Sequence, residues 1–207
     1  MKMYTWQHLT SLITAALYVL MIHPTAHAAC PGCRPPDPVV TCGMDGCHAT
    51  IAGPAIPLPQ LTFTNSAPGQ FLVTQWDEAA HITYLQPLSW TASTQTELGT
   101  VTWNIDATRA VQNSTIASNQ GEGGFPATGD LYFYINGTID AQPGVTYQSQ
   151  TPLHLVDADV NAFAPFNGEV FVLAAPVDFE DASNPGQVAF TLSNLTLTFS
   201  SSELGAL

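Results

Sequence analysis

Basic residues are almost absent from this chain. Its 207 residues include only three Lys and Arg side chains, Lys2, Arg34 and Arg109, against 16 Asp and Glu side chains, which gives a formal net charge of −13. Coulomb repulsion keeps such an acidic protein away from nucleic acid and from anionic membrane surfaces, so neither is an expected partner. Charged residues of both signs make up only 9% of the chain, and Thr, Ser, Asn and Gln supply most of the polarity.

Long hydrophobic runs are also missing. The run 12–22 has 11 residues, whereas a membrane-spanning helix needs roughly 20. Lys2 precedes this run and Ala26-His27-Ala28 follows it, and this order of basic start, apolar centre and A-x-A cleavage site is typical of a secretory signal peptide. We therefore expect residues 1–28 to be a signal peptide, with no transmembrane anchor and a mature chain that begins near Ala29.

The predicted cleavage defines the mature chain. Residues 1–28 contain one basic residue and no acid, so the mature formal charge is 2 − 16 = −14, carried by 207 − 28 = 179 residues. That length suits one ordinary domain with a short extension. A lipoprotein cleaved before Cys30 is the alternative, although His27 stands where a lipobox usually has Leu. We expect a secreted or cell-surface protein, periplasmic or extracellular, in an oxidising compartment.

Helical periodicity is absent from the mature sequence, and alternation with a period of two takes its place. The clearest alternating segments are 61–64, 101–106, 131–135, 170–174 and 188–192. The phase slips by one at Ser193-Asn194 before the alternation resumes at Leu195, and such a slip is typical of a β-bulge. Gly- and Pro-containing turns such as Gln142-Pro143-Gly144 separate the segments.

Eight to ten short strands at this spacing are typical of an all-β, antiparallel two-sheet sandwich, of jelly-roll or Ig-like topology. A closed barrel is the alternative. Asn136-Gly137 favours a two-residue hairpin, but Gln142-Pro143-Gly144 follows so closely that we place the strand end near Asp140 instead. We predict a β-sandwich domain over residues 60–207, preceded by a Cys/Pro-rich arm over residues 29–59.

All four cysteines of the chain lie in this arm, at Cys30, Cys33, Cys42 and Cys47. Prolines exclude helix and central strand around the first two. An even number of cysteines in an exported, Pro-rich segment is typical of disulfides, so we expect two bonds. Three pairings are compatible with the sequence, and the local pairing is easy to form because Pro31-Gly32 and Asp45-Gly46 are turn-formers.

Three other chemistries fit the same cysteines. Cys42, Cys47 and His48 form a C-x4-C-H sequence, a longer variant of the haem c attachment motif in which His48 is the axial ligand. Four thiolates also match a tetrahedral zinc site. The Cys30 to Cys33 pair resembles a redox motif but lacks the helix N-terminus that lowers a thiol pKa. No cofactor is our main expectation, and haem c is kept as an alternative.

Two pairs of carboxylates recur at period two. Asp157 and Asp159 share one strand face, and so do Asp178 and Glu180. Hard carboxylate oxygens bind calcium, which makes these four residues a weak calcium prediction. Two carboxyl groups across a cleft also meet the requirement of a glycosidase. A solvated acidic face is the third interpretation and the simplest for a chain of this charge.

Catalytic constellations are not evident, and we predict no catalytic residue. The sequence contains no G-x-S-x-G nucleophile motif. His48, His81 and His154 are the histidines of the mature chain, and the last two begin strand-like segments, where a His is more often a surface or cross-strand residue than a base. Trp76, Tyr84, Trp90 and Trp103 are candidates for a sugar-binding platform, although the apolar phase of Trp103 indicates a core position.

These observations favour a secreted, non-catalytic β-sandwich protein that acts as a cell-surface, matrix or filament building block. The expected partners are further copies of itself, other extracellular proteins or glycans. The lack of Lys removes the residue that most often prevents edge-to-edge strand pairing. The alternatives are a binding or electron-transfer protein with haem c or a metal on the arm from Cys30 to His48, and a secreted carbohydrate-active enzyme.

Overall fold

Fifteen antiparallel strands make up most of the described chain. The structure is a computed structural model that describes residues 39–52, 60–63, 65–66, 69–120, 124–161 and 168–200. The strands are β1 (Val39–Ala52), β2 (Gln60–Phe63), β3 (Asn65–Ser66), β4 (Gly69–Asp77), β5 (Ile82–Ser89), β6 (Thr91–Thr96), β7 (Gly99–Ile105), β8 (Ser114–Ser118), β9 (Ala127–Phe133), β10 (Ile135–Ile139), β11 (Tyr147–Ser149), β12 (Leu153–Val160), β13 (Val170–Leu173), β14 (Val177–Asp181) and β15 (Val188–Ser200). The predicted all-β, antiparallel class is confirmed.

These strands form one hydrogen-bonded network that closes on itself. The strand order is β2-β1-β4-β5-β8-β9-β12-β13-β15-β14-β11-β10-β7-β6-β3, and β1 also pairs with β15. This additional pairing makes β1, β4, β5, β8, β9, β12, β13 and β15 a closed ring. The two longest strands, β1 with 14 residues and β15 with 13, therefore carry the closure.

Both closing strands change partners along their length. The first part of β1 pairs with β4, and the later part pairs with β2. In the same way β15 pairs with β14 through its first residues and with β13 through its last ones. Residues 39–52, which we assigned to an irregular arm, are thus a strand of the sheet. The physical reason is that this stretch contains no proline, so every residue can donate a ladder hydrogen bond.

Bulges allow β1 and β15 to bend. The pairing of β15 with β1 passes from Asn194 to Leu192 and leaves Ser193 out, so the predicted bulge is confirmed. On β1 the register skips Asp45. The turn that Asp45-Gly46 suggested is therefore a bulge inside a continuous strand, because pairing with β15 outweighs the local turn preference.

Burial follows the alternation that the sequence showed. Every second residue of β9 is buried, from Ala127 to Phe133, and one hydrophobic core runs through the molecule. Part of it is a row of aromatic rings, in which Trp103 lies 4.7 Å from Phe63 and 6.0 Å from Phe179 between ring centroids. Phe179 in turn stacks on Phe190 at 4.7 Å. Offset aromatic pairs of this kind add to the stabilisation by buried area.

Glycine at position 137 makes room for this row. Asn136 and Gly137 lie inside β10, and the chain turns after Ile139, close to the strand end that we predicted. Gly137 pairs with Trp103 across the strands, and a Cβ atom there would lie 2.4 Å from Trp103 Cδ1 and 2.7 Å from the Thr102 carbonyl oxygen. The indole packs over the glycine, so this position tolerates no side chain without a shift of the core.

We expect Gly137→Ala to lower the free energy of unfolding by about 1–3 kcal/mol, because the added methyl group overpacks the core against Trp103. Urea denaturation followed by Trp fluorescence measures the change. The neighbouring Thr138 is exposed, and Thr138→Ser is the control, with an expected change within about 0.5 kcal/mol. Equal stability of the two variants would contradict the packing described for Trp103.

Candidate functional site

A pocket opens where β5 separates from β8. β5 pairs with β4 from Ile82 to Ser89 but with β8 only from Ile82 to Leu85. Pro87 lies two residues after Leu85 and has no N–H to donate. Within sheets, proline is confined to edges where the N–H side is unpaired. The connection from β7 to β8, residues 105–113, crosses the gap and encloses a volume of about 350 Å³.

Arg109 holds this connection in place. Its Nη1 donates a hydrogen bond of 2.6 Å to the Ser149 carbonyl oxygen, and its Nη2 donates one of 3.3 Å to the carbonyl oxygen of Gln150. The guanidinium carbon lies 3.6 Å from the centroid of the Tyr134 ring, a cation–π contact. Arg109 is the only Arg or Lys within the described residues, and it anchors the pocket wall to β11.

Asp106 at the other end of the connection is held as firmly. Its Oδ1 accepts hydrogen bonds from the Thr108 backbone N–H at 3.1 Å and from Thr108 Oγ1 at 2.5 Å. The Asp106 backbone N–H donates to the Tyr134 carbonyl oxygen at 2.8 Å. The two charged residues that line the pocket, Asp106 and Arg109, are therefore of opposite sign and both tied to the fold.

Glu180, one of the predicted calcium ligands, is bound by protein donors. Its Oε1 accepts from Gln148 Nε2 at 2.8 Å, and its Oε2 accepts from Gln150 Nε2 at 3.1 Å and from the Gly186 backbone N–H at 2.7 Å. The residue is only 8% exposed. The Gly186 and Gln148 hydrogen bonds lower the pKa of Glu180, and the nearby Arg109 charge adds a smaller effect.

Two other predicted calcium ligands, Asp157 and Asp178, also accept hydrogen bonds from the protein. Asp178 Oδ1 accepts from Thr191 Oγ1 at 2.6 Å. Asp157 accepts from the backbone N–H groups of Asp159 at 3.0 Å and of Val170 at 3.2 Å. These contacts satisfy oxygens that a calcium ion would need.

The two acidic pairs do not meet in one site. Asp157 and Asp159 lie on β12, while Asp178 and Glu180 lie on β14, and β13 and β15 separate the two strands in the sheet. Among the described residues there is no group of three or more His, Cys, Asp or Glu side chains that could hold a metal ion. Sequence spacing correctly placed each pair on one strand, but strand order decides whether two pairs meet.

His154 forms a contact that the sequence did not reveal. Its Nε2 lies 2.6 Å from Asp130 Oδ1, and its ring stacks on Tyr132 at 4.3 Å between centroids. His154 pairs directly with Tyr132 across β12 and β9, and its side chain is 35% exposed. The cluster lies on the outer face of the sheet, and its geometry is that of a cross-strand contact. His81 lies at the turn before β5, with φ of 55°.

The proposed aromatic platform is wrong. Trp90 and Trp103 are each only 2% exposed, so neither presents a ring face to solvent. Trp103 belongs to the aromatic row of the core, as its apolar phase indicated. Trp76 and Tyr84 are partly buried on β4 and β5. Two of the four rings are consequently core residues, and no common surface remains.

The backbone of β1 limits what Cys42 and Cys47 can do. Five residues of extended strand separate their Cα atoms by about 16 Å, whereas a disulfide spans Cα atoms about 4.4–6.8 Å apart. This Cα separation does not suit a bond between Cys42 and Cys47, while the two expected disulfides and the haem c alternative at Cys42, Cys47 and His48 stay predictions. Cys30 and Cys33 lie outside the described residues.

We expect Glu180→Gln to lower the melting temperature at pH 7, because an amide presents an N–H group where three donors point. The folded-state pKa of Glu180 is below its ordinary value. Its contribution is therefore complete above the ordinary pKa of about 4.3 and disappears as the pH falls through the folded-state value. Thermal melts from pH 7 to pH 2.5 should show the gap between wild type and variant closing on acidification. Glu78→Gln, in the exposed turn after β4, is the matched control, and a gap independent of pH would contradict the assignment.

Peptide mapping of the non-reduced protein tests the strand conformation of β1. We expect no peptide in which Cys42 is joined to Cys47, because the extended backbone holds the two Cα atoms too far apart. Each of these cysteines should instead be joined to Cys30 or Cys33 if all four are oxidised. Recovery of a Cys42–Cys47 bond would mean that the turn at Asp45-Gly46, and not the bulge, is correct.

Among the described residues, no helix is long and apolar enough to cross a membrane. The chain matches no known protein family and none of the curated proteins. One similar solved structure is that of DynF from the dynemicin biosynthesis pathway of Micromonospora chersina, with a TM-score of 0.63 and 17% sequence identity. The match covers 86% of this chain and 88% of DynF. At this identity the likeness shows that the two proteins share a fold.

Proposed function

We propose that this chain is a secreted, non-catalytic β-sandwich protein that serves as a building block of a cell surface or extracellular matrix. One observation carries the proposal. The side chains that are most suited to chemistry, Asp157, Asp178 and Glu180 among the acids and His154 among the histidines, are hydrogen-bonded partners of neighbouring strands and turns. Their contacts hold the fold together.

The two-layer architecture is part of this proposal. β1 and β15 each change neighbours halfway, which is how corner strands pass from one sheet to the other in a sandwich. One half of the network is then β4, β5, β8, β9, β12 and β13, and the other is β14, β11, β10, β7, β6 and β3. The single core between them supports this arrangement.

The proposed export of the protein is based on its amino-acid sequence. The signal peptide predicted over residues 1–28 implies an oxidising compartment, where cysteines pair and a neutral polar surface remains soluble. A chain with almost no Lys and Arg is poorly suited to partners that are anionic. These features favour an extracellular location and neutral or apolar partners.

Self-association through strand edges receives little support. The strands at the two ends of the order, β2 and β3, contain four and two residues, and very short edges are a common protection against edge pairing. A face of the sheet is a better candidate for self-association than a strand edge. Val170 and Val172 of β13 are 42% and 40% exposed, and Val172 pairs with the partly buried Val156 of β12. This apolar stripe, Val156–Val170–Val172, is the surface through which we propose that copies associate.

DynF supplies no role for this chain. DynF is from a biosynthesis pathway, and that role is known of DynF alone. The shared fold is compatible with a scaffold on which different proteins carry different functions.

Fractionation of the native host and size measurement test the proposal together. The mature protein should be found outside the cytoplasm with an N-terminus near Ala29, and it should form a dimer or larger assembly at micromolar concentration. Val172→Lys should shift the assembly towards monomer by placing a charge in the apolar stripe, while Thr138→Lys, on exposed β10 surface, should not. A cytoplasmic, uncleaved chain, a monomer at all concentrations, or turnover of polysaccharides would overturn it.

A further inference from the structure

We infer that the pocket between β5 and the β7–β8 connection binds a neutral carbohydrate of one or two sugar units. This goes beyond a building-block role, because it assigns a ligand site to the domain. The pocket is a consequence of the fold, since the pairing of β5 with β8 ends at Leu85↔Ser114 and residues 105–113 bridge the gap beyond it. A site made by strand pairing and a fixed loop is present before any ligand arrives.

The volume sets the size of the ligand. About 350 Å³ is near the lower end of the range for small-molecule sites, roughly 300–1,000 Å³. That space accepts a ligand of one or two rings and excludes a polymer chain over most of its length. An extended glycan would therefore enter by its terminal units only.

The charges that line the pocket favour a neutral ligand. Asp106 and Arg109 are the charged residues of the lining, and their charges cancel. An anionic ligand would also meet the field of a chain whose formal net charge is −13. A cationic ligand would meet Arg109, whose guanidinium is fixed against Tyr134. A ligand of either charge would therefore meet a residue of like charge as well as one of opposite charge.

The uncharged polar groups of the lining match hydroxyl groups. Gln86 and Asn113 are exposed at the pocket, and each amide offers both donors and acceptors. A sugar hydroxyl likewise donates and accepts, so each amide can bind two adjacent hydroxyls. Leu85, Pro87 and Phe133, all buried, are apolar residues of the same lining.

The wall is rigid before binding. Arg109 is tied to the carbonyl oxygens of Ser149 and Gln150, and Asp106 is tied to Thr108. A loop that is already ordered loses little conformational entropy when a ligand binds, which matters for a small ligand with few contacts. Asp106 Oδ1 accepts both hydrogen bonds from Thr108, and Oδ2 takes no part in them.

Titration of the whole mature protein with glucose, galactose and N-acetylglucosamine, followed by NMR chemical-shift changes, tests the assignment. The protein is made in a host that adds no N-glycans, because Asn113-Ser114-Thr115 is itself a glycosylation sequence. At least one of these sugars should give saturable shifts confined to residues 85–87, 105–113 and 133–134. Absence of saturable binding up to about 100 mM, a Kd corresponding to roughly 1.4 kcal/mol, would overturn the inference.

Variants separate the pocket from general surface effects. Gln86→Ala and Asn113→Ala should each weaken binding about two- to tenfold, the loss of one or two hydrogen bonds, with an unchanged melting temperature. Gln75→Ala and Asn194→Ala remove exposed amides elsewhere and should leave affinity unchanged. Glucuronate and glucosamine should bind more weakly than N-acetylglucosamine, and tighter binding of either charged sugar would contradict a neutral site. None of these results depends on secretion or self-association, so failure here leaves the building-block proposal to its own test.

Discussion

The pairing of β1 with β15 is the constraint on which the rest of the fold depends. It joins a strand near the beginning of the described chain to the last described strand, and it runs from Gly43↔Ser200 to Ala52↔Thr191. Closing so long a loop is costly in chain entropy, and each added ladder hydrogen bond and buried side chain offsets part of that cost. The pairing also converts part of an open row of strands into a closed ring. The β1–β15 pairing therefore fixes the positions of the strands next to β1 and β15, and with them both parts of the core.

Polar side chains have a structural role in this protein because charges are so few. Arg109 joins the β7–β8 connection to β11, and Glu180 joins β11 to the turn at Gly186 through Gln148 and Gln150. Arg109 and Glu180 thus each reach several partners instead of one. The small number of charged residues explains why acids that resemble calcium ligands in sequence are hydrogen-bonded in the folded chain. It also leaves the pocket wall rigid and nearly neutral, which is the basis for the carbohydrate site that we propose.

Local patterns predicted the features that are local in origin. Alternation placed Trp103 and Leu131 in the core, and the phase slip at Ser193 predicted the bulge. Features that depend on partners were predicted less well. Asp45-Gly46 is a turn-former by itself, but in the structure it lies in a long strand because β15 pairs on one side. Trp90 carried no periodic signal that would have separated a platform from a core residue, since its burial depends on strands distant in sequence.

The sequence by itself determined the all-β class, the inward positions of each strand and the near absence of positive charge, because side-chain alternation and composition are properties of short segments. Only the tertiary structure decided which strands are neighbours, since the same alternation is compatible with many orders of pairing. It brought Glu180 to Gln148, 32 residues away in sequence, and Arg109 to Ser149, 40 residues away. The pocket arises in the same way. The pairing of β5 with β8 ends at Leu85, and the gap beyond it becomes a site only where residues 105–113 cross it.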